Sequence, residues 1–143
     1  MAVQFPDLNP TATSNDKVVH TKTVRLTFAD FVTGGIASVK AILPADSTIL
    51  FMEWWKKTAF SGNGVTAATL SIGVTGTPTQ FVNALDVNTP AAGFSGEVTP
   101  ITNIMQPYSA PVAGPDISLL FTGTATTGNP TAGELYVTIV YVR

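Results

Sequence analysis

The chain has 143 residues, of which 45% are hydrophobic and only 11% are charged, and its net charge is −2. This length fits one ordinary domain with its own core, and the charge gives neither the basic footprint of a nucleic-acid-binding protein nor a polybasic membrane patch. The absence of cysteine excludes disulfides, thiolate metal sites and thiol nucleophiles.

The sequence predicts an extended arm at residues 1–16, followed by a single β-sandwich domain at 17–143. Two prolines and the run TATSND oppose regular secondary structure in the arm. Two interpretations stay open, a frayed terminus and an arm that orders against another subunit. The second would use the apolar arm residues, which are Val3, Phe5 and Leu8.

The arm also lacks the basic start and apolar run of a secretory signal. No segment of the chain reaches the roughly 18 apolar residues that are needed to span a bilayer. We therefore expect a soluble protein that is made and assembled in a cytoplasm.

The first half of the domain shows the alternation of apolar and polar residues that is typical of half-buried strands. The pattern occurs in VRLTF at 24–28, in IASVKAIL at 36–43, and in a long strand from Thr48 to about Phe60. The runs TGG and PADS separate these segments and are typical of turns.

After the turn SGNG, the sequence predicts a strand and then one helical turn. The strand is VTAATLSIGV at 65–74. In the next run, TGTPTQFVNALDV, Thr77 is placed as an N-cap, Pro78 falls at the first helical position, and Gln80 has capping-box spacing. We therefore expect a short helical turn near 78–84, the one helix of the domain.

The last third of the chain contributes edge strands and a central strand. Prolines make 96–99 and 107–112 candidates for short edge strands, and DISLLFTGTA adds a longer strand. The closing run ELYVTIVYVR is apolar on both faces, which predicts a central strand or one covered on both sides. About eight strands, with turn signals roughly every 8–15 residues, predict an all-β, antiparallel two-sheet sandwich.

Residues suited to catalysis or metal binding are scarce. His20 is the only histidine and is expected on the surface, so one chain cannot assemble a Ser-His-Asp triad or a multi-histidine metal site. The two glycine-containing turns, GNG and TGTP, have neither the lysine nor the spacing of a phosphate-binding loop. No pattern pairs the acids that glycoside hydrolysis would need, which are Asp30, Glu53, Asp86 and Asp116. We therefore expect no enzyme, no catalytic residue, no cofactor and no metal.

Both tryptophans of the chain are adjacent, in FMEWWKKTAF at 51–60. Neighbouring side chains of a strand point to opposite faces. Leu50, Met52 and Trp54 form the unbroken apolar set, which predicts that Trp54 lies in the core and Trp55 outside. A β-bulge at Glu53 would invert this assignment.

An outward tryptophan on a strand can stack on a sugar ring or anchor a contact with another protein. A third interpretation is a strand packed on both faces. Glu53 beside Lys56 and Lys57 is typical of a solvated strand end, and both lysines and Phe60 are available to a partner. The interface candidates are therefore Trp55, Lys57, Phe60, Val3, Phe5 and Leu8.

Several runs together carry a family resemblance. They are LPADSTIL, a strand ending in TAF, the turn SGNG, ATLSIGV, FVNALDV and the closing TAGELYVTIVYV. In these runs, which span roughly residues 20–142, the chain resembles the jelly-roll cement or decoration proteins of short-tailed bacteriophage heads.

The resemblance implies a jelly-roll-like sandwich that self-associates into a dimer or trimer and binds the major capsid protein. The implied place is the exterior of the virion, assembled in the host cytoplasm, and the implied role is mechanical, since the protein would bridge capsid subunits against the pressure of packaged DNA. Neither nucleic acid nor a membrane is an expected partner. The alternative is a carbohydrate- or receptor-binding β-sandwich module of a phage tail or fibre, which would use the outward tryptophan.

Overall fold

The structure, a computed structural model, describes residues 18–34, 36–89, 95–98, 108–109 and 116–143; the side chains of 36–39, 95–98 and 108–109 are not described. The predicted arm at 1–16 lies outside the described residues, and so do the interface candidates on it, which are Val3, Phe5 and Leu8. No helix of the described part of the chain is long and apolar enough to cross a membrane.

The described residues contain ten strands and one short 3-10 turn, Phe28–Asp30. Eight of the strands are four residues or longer, which confirms the prediction of about eight. The strands are β1 (Val19–Thr27), β2 (Phe31–Thr33), β3 (Ile36–Leu43), β4 (Thr48–Ser61), β5 (Ala67–Val74), β6 (Thr77–Asp86), β7 (Ser95–Val98), β8 (Tyr108–Ser109), β9 (Ile117–Thr126) and β10 (Ala132–Val142).

The strands form two five-stranded sheets, which confirms the predicted all-β class. The first sheet has the order β1-β10-β4-β7, with β8 also paired to β4. The second has the order β2-β9-β5-β6, with β3 also paired to β9. All pairs are antiparallel except β2 with β9. The closing strand β10 lies between β1 and β4, as its two apolar faces predicted, and β7 and β8 fall where short edge strands were expected.

The core lies between the two sheets, because each strand buries alternate side chains toward the other sheet. Leu135, Val137 and Ile139 of β10 face Leu70, Ile72 and other apolar residues of the second sheet within one buried cluster. At roughly 25 cal/mol per Å² of apolar surface, this burial is the main stabilisation of the fold.

The predicted helical turn near 78–84 is wrong, because this segment is part of strand β6. Val82 pairs with Ile72 of β5, and Phe81 and Val82 are buried in the core. Gly73 allows the close approach, since a Cβ at that position would lie 2.0 Å from the carbonyl oxygen of Thr77. Pro78 is tolerated because β6 is an edge strand. Pairing with β5 and burial therefore outweigh the local capping pattern.

The two tryptophans of β4 lie where the alternation placed them. Trp54 is buried and Trp55 is exposed, and the pairing with β10 runs without a shift through Glu53. The pairing instead skips one residue on either side of the tryptophans, at Lys57 and at Leu50. As a result Ile49, and not Leu50, is fully buried at the start of the strand.

Two further predictions for β4 are wrong, because Phe60 and Lys56 are buried. The Phe60 ring lies against Phe31, with centroids 4.1 Å apart. It also packs over Gly133, where a Cβ would lie 2.4 Å from the ring. Phe60 therefore belongs to the core and offers no surface to a partner, and Lys56 is not part of a solvated strand end.

Candidate functional site

The outward face of the first sheet carries a group of aromatic and charged side chains, which we call the outer-face cluster. Three adjacent strands supply its members, and Tyr136 of β10 pairs with both its neighbours in register. The cluster consists of Arg25 of β1, Trp55 and Lys57 of β4, and Glu134 and Tyr136 of β10.

Trp55 is the most prominent apolar surface of the cluster, with 44% of the residue exposed. Its ring stacks on that of Tyr136, with centroids 5.5 Å apart and an interplanar angle of 23°. This arrangement is an offset stack of the kind that contributes about 0.5–1.5 kcal/mol beyond burial. One face of the indole is therefore held by the sheet, while the rest is open to a partner.

Glu134 is the centre of the polar contacts. Its Oε1 atom accepts hydrogen bonds from the Tyr136 hydroxyl at 2.6 Å and from Arg25 Nε at 2.7 Å. Its Oε2 atom lies 2.9 Å from Lys57 Nζ. The carboxylate side chain is only 15% exposed, whereas those of Arg25 and Lys57 are 60% and 51% exposed. One acid thus fixes the positions of both cations and the tyrosine.

These contacts shift the pKa values of the ionisable members. The hydrogen bond from Tyr136, followed by those from Lys57 and Arg25, lowers the pKa of Glu134 to about 2. The hydrogen bond and charge of Glu134 in turn raise the pKa of Arg25 and of Lys57 above their ordinary values. The network therefore stays charged from neutral pH down to strongly acid conditions.

The sequence-predicted site residues that the structure describes are Trp55, Lys57 and Phe60. Trp55 and Lys57 belong to the cluster, and Phe60 is on the opposite face in the core. The sequence reasoning missed Arg25, Glu134 and Tyr136, because they lie far from Trp55 along the chain and only strand register brings them beside it. For Phe60, the alternation of the strand was the available signal. Phe60 lies six residues after the inward Trp54, and an even separation places both side chains on the same face.

Two of the acids considered for catalysis, Asp30 and Asp86, hold local structure. Burial would raise the pKa of Asp30, but hydrogen bonds from Lys40 and from the Thr27 backbone N–H outweigh it and lower that pKa. The Thr89 hydroxyl and the N–H groups of Asn88 and Thr89 lower the pKa of Asp86. Among the described residues no three side chains form a group suited to a metal ion.

Two acids do occupy paired backbone positions, Glu53 of β4 and Glu97 of β7. His20 is exposed, as expected, and its ring stacks on Tyr141 with centroids 5.3 Å apart. No described hydrogen bond joins Glu53, Glu97 or His20 to the outer-face cluster. The outer-face cluster is thus a surface made of aromatic and charged groups.

The fold is shared with chains of two solved bacteriophage capsids. A chain of the cyanophage Pam1 capsid asymmetric unit superposes with a TM-score of 0.64 at 18% identity, covering 88% of this chain and 85% of that one. A chain of the acid-stable capsid of Helicobacter pylori bacteriophage KHP30 superposes with a TM-score of 0.57 at 11% identity, covering 88% of each. No protein-family profile and no curated protein sequence matches the chain.

Proposed function

We propose that this chain is a non-enzymatic structural virion protein that binds the assembled capsid shell and stabilises it. The outer-face cluster carries the proposal, because an outward tryptophan held in place by its own sheet is a typical anchor of a protein–protein contact. The fold shared with chains of two phage capsids supports it.

The partner in this proposal is the major capsid protein. The chain binds it on the exterior of the shell, and assembly takes place in the host cytoplasm. Stacking on Tyr136 and the bonds of Glu134 restrict the cluster before binding, so little side-chain entropy is lost on contact. A shell repeats each contact many times, so individually weak contacts can lock an assembly. This role involves no contact with nucleic acid or a membrane, no enzyme reaction and no cofactor.

Binding to empty capsids that lack this chain tests the proposal. In a co-sedimentation assay, Trp55→Ala should weaken binding at least about tenfold, the effect of losing one central aromatic anchor. Ile42→Ala is the matched control, because Ile42 is also apolar and 52% exposed but lies on the other sheet. Equal binding by the two variants, or no binding by the parent chain, would overturn the proposal.

The arm is tested separately in the same assay. Deletion of residues 1–16 removes the interface candidates Val3, Phe5 and Leu8 and should weaken capsid binding. The midpoint of thermal unfolding should stay within a few degrees of the parent value, because the proposed role of the arm is in the contact and not in the fold of the domain. Unchanged capsid binding would exclude the arm from the contact.

The second candidate is a carbohydrate- or receptor-binding module of a phage tail or fibre. The stack of Trp55 on Tyr136 favours it, because an exposed indole between polar side chains suits a sugar ring. A glycan array, together with tryptophan fluorescence titrated with polysaccharide, distinguishes the candidates. A saturable response that Trp55→Ala abolishes would support this module, and the absence of any response would discard it.

A further inference from the structure

The outer-face cluster carries more positive than negative charge. At neutral pH its charged members are the cations Arg25 and Lys57 and the single acid Glu134. One oxygen of that acid lies 2.7 Å from Arg25 Nε and also accepts the Tyr136 hydroxyl, and the other lies 2.9 Å from Lys57 Nζ. Both oxygens of Glu134 are thus engaged, and one positive charge stays uncompensated within the cluster.

The two cations keep donors for a further acceptor. A guanidinium group has five N–H donors and an ammonium group has three. The described contacts of Arg25 go to Glu134 and Tyr136, and the described ion pair of Lys57 goes to Glu134. Both cationic side chains are more than half exposed, whereas that of Glu134 is largely covered. The open side of this pair of cations therefore faces solvent.

Charge changes sign along the outward face of β4. Glu53, Trp55 and Lys57 are all exposed, so an acid lies on one side of the indole and a base on the other. The guanidinium of Arg25 reaches the Lys57 side, because it bonds the same Glu134 carboxylate. The positive charge is therefore concentrated at one end of the indole.

This arrangement suits a single carboxylate. Two cations held close together by one acid repel each other, and a second acid between them would offset the remaining charge. A carboxylate can accept from a guanidinium and an ammonium group at once, in bonds roughly twice as strong as those between neutral groups. A polyanion such as nucleic acid is disfavoured, because Glu53 and the net charge of −2 repel it.

We propose that the outer-face cluster binds a protein surface on which an Asp or Glu carboxylate lies beside an apolar side chain. The carboxylate bridges Arg25 and Lys57, and the apolar side chain covers the open part of the Trp55 indole. Glu134 and Tyr136 position these groups. The inference rests on the proposed function, in which that surface belongs to the capsid shell, and it specifies the chemistry of the partner.

Carbodiimide cross-linking tests the carboxylate directly. The reagent activates a carboxylate, and an amine in contact with it then forms an amide with loss of water. In the free chain the acid beside Lys57 is Glu134, and their coupling shows that the amine reacts. In complexes with empty capsids that lack this chain, mass spectrometry should find a second amide, from Lys57 to an Asp or Glu of a capsid protein.

Lys57→Arg is the matched variant for the cross-link. It keeps the positive charge and should bind capsids within about threefold of the parent, but it has no amine to couple. Loss of the cross-link with binding retained assigns the amide to Lys57. A bound parent chain that forms no amide with the capsid, or forms amides only through its other lysines, would overturn the proposal.

Charge neutralisation measures the size of the effect. Arg25→Gln combined with Lys57→Gln should weaken capsid binding at least about tenfold at low salt and remove most of its salt dependence. The control combines Lys22→Gln with Arg143→Gln, which removes the same two charges where the contacts are to the Ile42 carbonyl and Asp46. Thermal unfolding confirms that both double variants are folded. Equal binding by them, or parent binding that salt does not weaken, would overturn the proposal.

The same assays separate this inference from the proposed function. A parent chain that does not bind capsids overturns the proposed function and this inference with it. A chain whose binding is lost on Trp55→Ala but not on removal of the two charges retains the proposed function and overturns the acidic partner alone. A Trp55-dependent fluorescence response to an acidic polysaccharide, without an amide to the capsid, would also overturn the protein partner.

Discussion

The inward and outward faces of strand β4 differ in how their side chains are held. The inward face presents Met52, Trp54 and Phe60 to the core, where they are nearly or fully buried. The outward face presents Trp55 and Lys57, which contact Tyr136 and Glu134 and remain about half exposed.

This difference separates stability from recognition within a single strand. The inward side chains interlock with both sheets, so their loss leaves cavities that the structure cannot close. The outward side chains are positioned by their neighbours on the same sheet face, and their loss removes surface and orientation but no core. Substitutions on the two faces should therefore change different measured quantities.

The largest difference is expected between the two aromatic residues Phe60 and Trp55. Phe60→Ala should lower the free energy of unfolding by about 3–5 kcal/mol, because the ring is fully buried against Phe31 and Gly133. Trp55→Ala should lower it by about 1 kcal/mol or less, mainly through the lost stack on Tyr136. Urea denaturation followed by circular dichroism measures both. Similar losses from the two variants would contradict the division between the faces.

The adjacent lysines give a smaller contrast of the same kind. Lys56 is 3% exposed, and its Nζ donates a hydrogen bond of 2.6 Å to the Thr89 carbonyl. Lys56→Ala should cost about 1–3 kcal/mol of unfolding free energy, because the Thr89 carbonyl loses its donor and the buried lysine stem loses its packing. Lys57→Ala should have the smaller effect, since that ammonium group is exposed. The same urea titrations compare them, and an equal or larger effect of Lys57→Ala would count against the assignment of Lys56 to the interior.

The smallest effect is expected at Glu134 and depends on pH. The pKa of this carboxyl is about 2 in the folded chain, below its ordinary value of 4.5. Its contribution to stability is therefore complete above pH 4.5 and is lost as the pH falls toward 2. Glu134→Gln should make the unfolding free energy less dependent on pH over this interval. Glu53→Gln is the control, because it leaves the bonds of Glu134 intact, and an equal flattening in that variant would refute the role of Glu134.

Particular residues show how far the sequence could predict the fold and the site. Alternation alone placed Trp54 inside and Trp55 outside, and the two apolar faces of β10 predicted its central position. The helical turn at 78–84 failed because capping signals are local, whereas pairing with β5 and the burial of Phe81 are not. Three of the five cluster members escaped prediction because they come from β1 and β10, which only register brings beside β4.

The sequence by itself therefore determined the all-β class, most of the strands and the direction of most side chains. Apolar periodicity encodes these properties directly, because it reports which side of each strand avoids water. The tertiary structure alone decided the strand order, the bulge at Leu50, the burial of Lys56 and the assembly of Glu134 with Arg25, Lys57 and Tyr136. These properties depend on which distant segments pair, and that choice is made by packing over the whole core.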